Sequence, residues 1–319
     1  MRIATLLPSA TEIVCALGLA EDIVGITHEC DFPLEIRTRP VIVRGKIDSA
    51  RLSSATINAE VEGALARGES LYEIDLETLA AARPDLLITQ DLCEVCALPG
   101  TDVEAALAYL PNRPEIVRLH PHTLSDILDD IVTVGSATGR EVEARRVVTR
   151  LQERIARVEA VVRGRFRARV FCMEWLDPPF CAGHWMPEIV ECAGGREVLG
   201  LAGRPSFQVE WSRIASVQPD VVVLVVCGFD LERTRQEAAG LAFRAAWQDL
   251  PAVRAGRVYA TDSGSYFSRS GPRIVDGLEI LAEILHPGAP PWPVPRGSWA
   301  QLASPAARPD ETLHTRQAR

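Results

Sequence analysis

Apolar positions along this chain follow two periods that take turns. Short, mostly apolar runs predict strands over residues 2–7, 22–26, 86–89 and 115–118 in the first half, and over 168–174, 221–226 and 257–261 in the second. Between them, apolar residues recur every three or four positions and predict helices over 11–17, 57–66, 76–82, 101–110, 187–192, 211–216 and 274–285. Strand alternating with helix implies parallel sheets with right-handed crossovers, so the expected fold class is α/β, with two Rossmann-like lobes. A longer helical pattern runs from 124 to 162 between the halves. Its second part is the cleaner, with Ala144, Val147, Val148, Leu151, Ile155, Val158 and Val162 on one face, while Gly135 and Gly139 interrupt the first. The expected organisation is a lobe over 1–122, a linker helix over 123–163, a second lobe over 164–287 and a disordered Pro- and Ala-rich tail over 288–319.

One pattern occurs twice. A helix leads into Pro84-Asp85 and a short apolar strand, then Cys93 and Cys96; a second leads into Pro219-Asp220 and an apolar strand, then Cys227. Open α/β sheets bind ligands outside the carboxyl ends of their strands, so both copies direct thiols towards a shared cleft.

Composition narrows the function classes. The 319 residues carry 34 basic and 43 acidic side chains, a net charge of −9, with no basic stripe interleaved with aromatics, so nucleic acid and anionic membranes are poor partners. No run approaches the roughly 18 apolar residues of a membrane span. The amino terminus passes straight from Arg2-Ile3-Ala4-Thr5-Leu6-Leu7 into Pro8-Ser9-Ala10-Thr11-Glu12, which reads as a first strand followed by a helix capped by Ser9 with Glu12 completing the box. With eight cysteines and no export signal in that stretch, the expectation is a cytoplasmic protein with free or metal-bound thiols, and a monomer.

Candidate chemistry follows from loop positions. His28-Glu29-Cys30, Cys93-Glu94-Val95-Cys96, Cys181-Ala182-Gly183-His184 and Cys227 all follow predicted strands, and soft thiolates with imidazoles suit Zn, Cu(I), an iron–sulfur cluster or a cobalt centre. The competing reading is of incidental cleft thiols. Cys15 and Cys192 fall on apolar helical faces as core residues, Cys172 alternates within a strand, and His120 and His122 suit surface or hinge roles. Nucleophile-elbow, Walker, His-Glu-x-x-His and dinucleotide-binding patterns are missing and Lys46 is the only lysine, so no enzyme is expected, although Glu174 and Asp177 offer an acid and a base.

The order of several short segments resembles a known family. Pro8-Ser9-Ala10-Thr11-Glu12, Cys30-Asp31-Phe32-Pro33, Val170-Phe171, Pro178-Pro179-Phe180, Ala193-Gly194-Gly195 and the loop Tyr266-Phe267-Ser268-Arg269-Ser270-Gly271-Pro272-Arg273 are similar, in that order, to anchors of the substrate-binding proteins of cobalamin and ferric-siderophore ABC importers. The cobalamin branch is the nearer. The resemblance covers roughly residues 2–286 and implies two lobes joined by one long helix, with a small-molecule metal chelate such as a corrinoid (cobalamin) held flat between them. Phe32, Glu174, Trp175, Phe180, Trp185, Tyr266 and Phe267 would line it, and His28, Cys30, Cys93, Cys96, Cys181, His184 or Cys227 would reach its metal. The alternatives are a protein of the same fold that ligates a metal ion or cluster directly through thiolates, and a redox or corrinoid-processing enzyme. Departures bear on partners. A carboxylate that docks the first lobe on an ABC permease has a match in Glu77, whereas Ser212 stands at the second position, with Glu210 nearby. Two corrin-stacking aromatics appear as Gln90 and Ser206, and a segment at about 49–71 is extra.

Overall fold

The computed structural model describes residues 1–90 and 100–302. Six strands of the first half, β1 (Ile3–Thr5), β2 (Ile23–Thr27), β3 (Val41–Gly45), β4 (Tyr72–Ile74), β5 (Leu86–Gln90) and β6 (Glu115–Leu119), form one sheet in the order β4-β3-β2-β1-β5-β6. All neighbours are parallel except β4, which pairs antiparallel with β3. Helices α1 (Pro8–Ala16), α2 (Ser54–Ala66), α3 (Leu76–Ala82), α4 (Gly100–Leu107) and α5 (Leu124–Ala137) belong to this half, and α6 (Glu141–Val162) leads out of it. The second sheet runs β10-β8-β7-β11-β12-β13, built from β7 (Arg169–Leu176), β8 (Pro179–Cys181), β10 (Phe207–Gln208), β11 (Val221–Leu224), β12 (Val258–Thr261) and β13 (Trp299–Gln301), with β9 (Arg196–Glu197) beside β7. Its β7-β11-β12 centre is parallel and its margins are antiparallel. The helices here are α7 (Met186–Cys192), α8 (Trp211–Ser216), α9 (Leu231–Ala238), α10 (Ala245–Gln248), α11 (Pro251–Arg254), α12 (Ser263–Tyr266) and α13 (Ile274–Leu285).

The crossing between lobes, expected as a linker helix over 123–163 with interruptions at Gly135 and Gly139, is built from two helices that break at the second of these glycines. Thr123 and Asp126 close a capping box at the start of α5, and Gly139 at φ 66° ends the run before α6 begins. A left-handed residue costs glycine little, and it lets α6 fold back on α5. The 22-residue α6, about 33 Å long at 1.5 Å per residue, is therefore the linker. Its buried Ala144, Val147, Leu151, Val158 and Val162 join one apolar cluster that runs from Ile3 and Ile13 through α5 and α6 to Val170 and Leu281. Both lobes thus share a continuous core.

Two further expectations are corrected. Ser9 does not cap α1: Leu7 occupies the N-cap, Pro8 opens the helix with a φ already suited to it, and Ser9 lies buried in the first turn. The supposed disordered tail is ordered as far as Leu302, because β13 pairs antiparallel with β12 and Trp292, Val294 and Trp299 pack on the core. Residues 303–319 lie outside the described residues.

Candidate functional site

The carboxyl ends of both sheets meet between the lobes. From the first come Ser9 after β1, Asp31 and Phe32 after β2, Gln90 at the end of β5, and His120 and His122 after β6. From the second come Glu174 and Trp175 near the end of β7, Cys227 after β11 and the Tyr266–Arg269 stretch after β12, while the loop after the antiparallel β8 carries His184.

Three imidazoles gather at one point of this surface. His120 and His122 stand with their Nε2 atoms 2.9 Å apart, so one ring donates and the other accepts. The ring of His184 lies 5.8 Å from that of His122, centroid to centroid. Its backbone is held in the left-handed region at φ 49° by two bonds to the neighbouring loop, His184 N–H to Arg204 O at 2.6 Å and Gly203 N–H to His184 O at 3.0 Å. Gly183 is required just before it, since a Cβ there would lie 2.3 Å from the Arg204 carbonyl. Burial, and secondarily the charge of His122, push the His184 pKa down and favour its neutral, electron-donating form. Behind the pair, Asp130 accepts the His120 backbone N–H, and burial raises its carboxyl to about 7.

A second cluster bridges the lobes by charge. Arg269 donates to Glu12 at 2.9 Å, to Asp31 at 2.5 Å and to the Glu29 carbonyl at 3.1 Å, and Arg273 donates to both Glu12 oxygens at 3.1 and 2.7 Å. The Arg273 guanidinium also lies 4.2 Å from the centre of the Phe32 ring and 5.5 Å from that of Tyr266. Burial alone would raise the Asp31 pKa, but the Arg269 hydrogen bond and charge hold it below the usual carboxylate value. Burial opposes the charge on Arg269 too, yet its two carboxylates raise its pKa further.

A third contact is made by α2. The Trp175 indole N–H donates to Ser54 O at 3.1 Å, and Glu237 accepts from both the Ser54 N–H and its hydroxyl at 3.0 Å. Arg233 donates to the carbonyls of Ala50 and Leu52, and Ile57 is buried among Phe171, Met173 and Phe229 of the second lobe.

The residues expected to hold a metal are not brought together. Cys30 is buried against the hydroxyls of Thr11 and Thr27, and Cys181 lies in the core, where burial pushes its thiol up to about 12. His28 faces the backbone of β3, with Nδ1 3.3 Å from Val43 O and Nε2 accepting from Gly45 N–H. Cys93 and Cys96 lie outside the described residues. Among the described residues no three His, Cys, Asp or Glu side chains are spaced to hold a metal ion, and the six described cysteines are all unpaired. Among the described residues no thiolate-bound Zn or iron–sulfur cluster is supported, and the Cys30 and Cys181 thiols, raised by burial, are poor ligands at neutral pH. Of the aromatic set, Trp185 and Phe267 are buried and bonded to each other through the Trp185 indole N–H and the Phe267 carbonyl at 3.0 Å. Trp175 is covered by α2, Phe32 and Tyr266 face Arg273, and Phe180 is half-buried on β8. Glu174 accepts the Ser206 hydroxyl at 2.7 Å, which in turn accepts the Gly183 N–H. The arginines of the charge cluster were legible only as part of a loop pattern, and their carboxylate partners lie more than 200 residues away.

Comparison with known proteins agrees with this fold. The family described as Periplasmic binding protein matches residues 3–264. An uncharacterized ABC transporter substrate-binding lipoprotein of Bacillus subtilis, YvrC, is 23% identical over 297 residues, covering 90% of this chain and 80% of its own. The vitamin B12-binding protein of Vibrio parahaemolyticus is 22% identical over 286 residues, 88% of each chain. A periplasmic heme binding protein from Pseudomonas aeruginosa superposes with a TM-score of 0.69 at 18% identity, covering 92% of this chain and 95% of the other. These are solute-binding proteins, so the chain is not an enzyme, and Asp177 is ion-paired with Arg244 at 2.5 Å. They also overturn the cytoplasmic assignment: one of these relatives is a lipoprotein and the structural neighbour is a periplasmic protein. No helix among the described residues is long and apolar enough to cross a membrane.

Proposed function

Because the chain belongs to the periplasmic binding protein family, we propose that it captures a metal chelate between its lobes, a corrinoid in the first instance, and passes it to an ABC permease. The observation that carries the corrinoid over other chelates is the sequence match to a vitamin B12-binding protein across both lobes. The imidazoles of His120, His122 and His184 supply nitrogen donors that suit a metal with an exchangeable axial position, and the Ser206–Glu174 pair suits the amide rim of a corrin. Delivery to a permease uses the exposed carboxylate of Glu77 on α3, with the exposed Glu210 at the start of α8 as its counterpart on the second lobe.

Visible-spectrum titration with cyanocobalamin, hydroxocobalamin and hemin tests the reading. Saturable 1:1 binding of a cobalamin with Kd under about 10 μM is expected, a free energy of roughly −7 kcal/mol. Only hydroxocobalamin, whose axial water exchanges, is expected to change its spectrum through imidazole contact, and His120→Ala should remove that change. Binding of hemin with no cobalamin binding up to about 100 μM would move the assignment to haem, and failure of all three would overturn it.

A further inference from the structure

The chain between residues 46 and 71 leaves the first lobe and returns to it at one point. Gly45 and Tyr72 face each other in the antiparallel β3–β4 pair, and the Lys46 N–H donates to Leu71 O at 2.9 Å. Residues 47–70 are therefore an excursion from the tip of a hairpin that a two-residue turn would close. The excursion crosses the cleft. Its far end is fixed by Arg233, which reaches the carbonyls of Ala50 and Leu52 while ion-paired to Glu237 at 3.1 Å, and by Glu237, which takes both donors of Ser54. Ile57 and Ser54 are 7% and 4% exposed, and Leu52 and Val61 pack on the same second-lobe cluster.

What the excursion covers gives it meaning. Trp175 lies near the carboxyl end of β7 and Phe229 just past that of β11, positions from which a parallel sheet presents its ligand-facing groups. Trp175 instead spends its indole N–H on Ser54, and Phe229 is buried beside Ile57 under the Arg233 guanidinium. The contact has the character of a folded core: one buried branched side chain, backbone carbonyls taken by a guanidinium, and a carboxylate with both oxygens in use. Lifting it would strand each of those groups.

We propose that residues 47–70 are a specificity element of the ligand site, a clasp that permanently occupies the Trp175–Phe229 side of the cleft and confines the ligand to the remainder. The clasp caps ligand size. It rests on the chelate reading only for the choice of probes. Two variants of the full chain test it: replacement of 47–70 by Asn-Gly, and Arg233→Ala, which keeps every residue of the excursion and removes its anchor.

In ligand-free protein, amide exchange across α2 should be at least ~100-fold slower than in Arg233→Ala, since the clasp is closed without ligand. Equal rates in the two proteins would overturn the clasp. Both variants should bind cyanocobalamin, the bulkier probe, at least ~10-fold more tightly than the parent, with a smaller change for hemin. Unchanged or weakened binding of both probes by the variants would overturn the specificity role while leaving the chelate reading intact. Binding of neither probe by any of the three proteins would remove the chelate reading and the specificity role together, and the exchange rates would still show whether α2 is docked.

Discussion

Two bridges tie the lobes together, and they are built from opposite materials. The one between α1 and the loop before α13 is ionic: Glu12, with 2% of its side chain exposed, sits between Arg269 and Arg273 at 12% and 13%. The one between α2 and the second lobe is apolar at its centre, with Ile57 among the second lobe's core residues and backbone carbonyls as its acceptors. A buried ion pair holds geometry because breaking it leaves a charge without a partner, whereas an apolar bridge holds by area removed from water. Together with the shared core along α6, they fix the spacing of the lobes, so the cleft is largely formed before any ligand arrives.

The sharpest way to break the ionic side is Glu12→Ala, which leaves two buried guanidiniums sharing Asp31 alone. A loss of about 3–5 kcal/mol is expected, read as a shift in the urea midpoint. A loss under about 1 kcal/mol would mean that water reaches the arginines and that the bridge is a surface contact. On the apolar side, Ile57→Ala should cost about 2–3 kcal/mol, the lower part of the range for a core isoleucine, since its pocket lies at a seam that can relax. No loss would detach α2 from the second lobe.

The two bridges should also part company in acid. Asp31 has its folded pKa held below 3.8, so its contribution is fully present above 3.8 and is lost as pH falls through the lower folded value. Asp31→Asn should therefore lower stability by about 1 kcal/mol at pH 7, a figure discounted for its partial exposure, and the deficit should fade as the parent is taken below pH 3.8. The Ile57→Ala deficit should be the same at both pH values. A deficit in Asp31→Asn that persists in acid would show that its hydrogen bond, and not its charge, matters.

The elements differ in how plainly they were written. Helices over 76–82, 211–216 and 274–285 and the central strands follow from apolar periodicity because each buries apolar side chains at regular spacing. The helix α9 went unseen because Leu231-Glu232-Arg233-Thr234-Arg235-Gln236-Glu237-Ala238 has almost no apolar face, yet it carries both clasp anchors. Strands β8 and β10 are two or three residues long and lie at an antiparallel margin, too short to show a period. At the site, spacing along the chain put His184 near a strand end but gave no reason to join it to His120 and His122, which meet it only through the packing of two lobes. Thiol-rich loops suggested ligation because cysteine looks the same in sequence whether its sulfur faces a cleft or, as for Cys30 and Cys181, the core.

The central claim is that the ligand lies between the lobes. A competing place exists: a cavity of about 400 Å³ on the second lobe, lined by Gln236, Ala239, Ala242, Trp247, Val258 and Leu302 among others, shares no residue with the imidazoles or with either bridge. Amide exchange measured with and without saturating hydroxocobalamin separates the two most directly. Protection is predicted in peptides covering 120–123, 181–185 and 204–207, the segments that meet at His120, His122 and His184. Protection confined to peptides covering 235–258 would contradict the account.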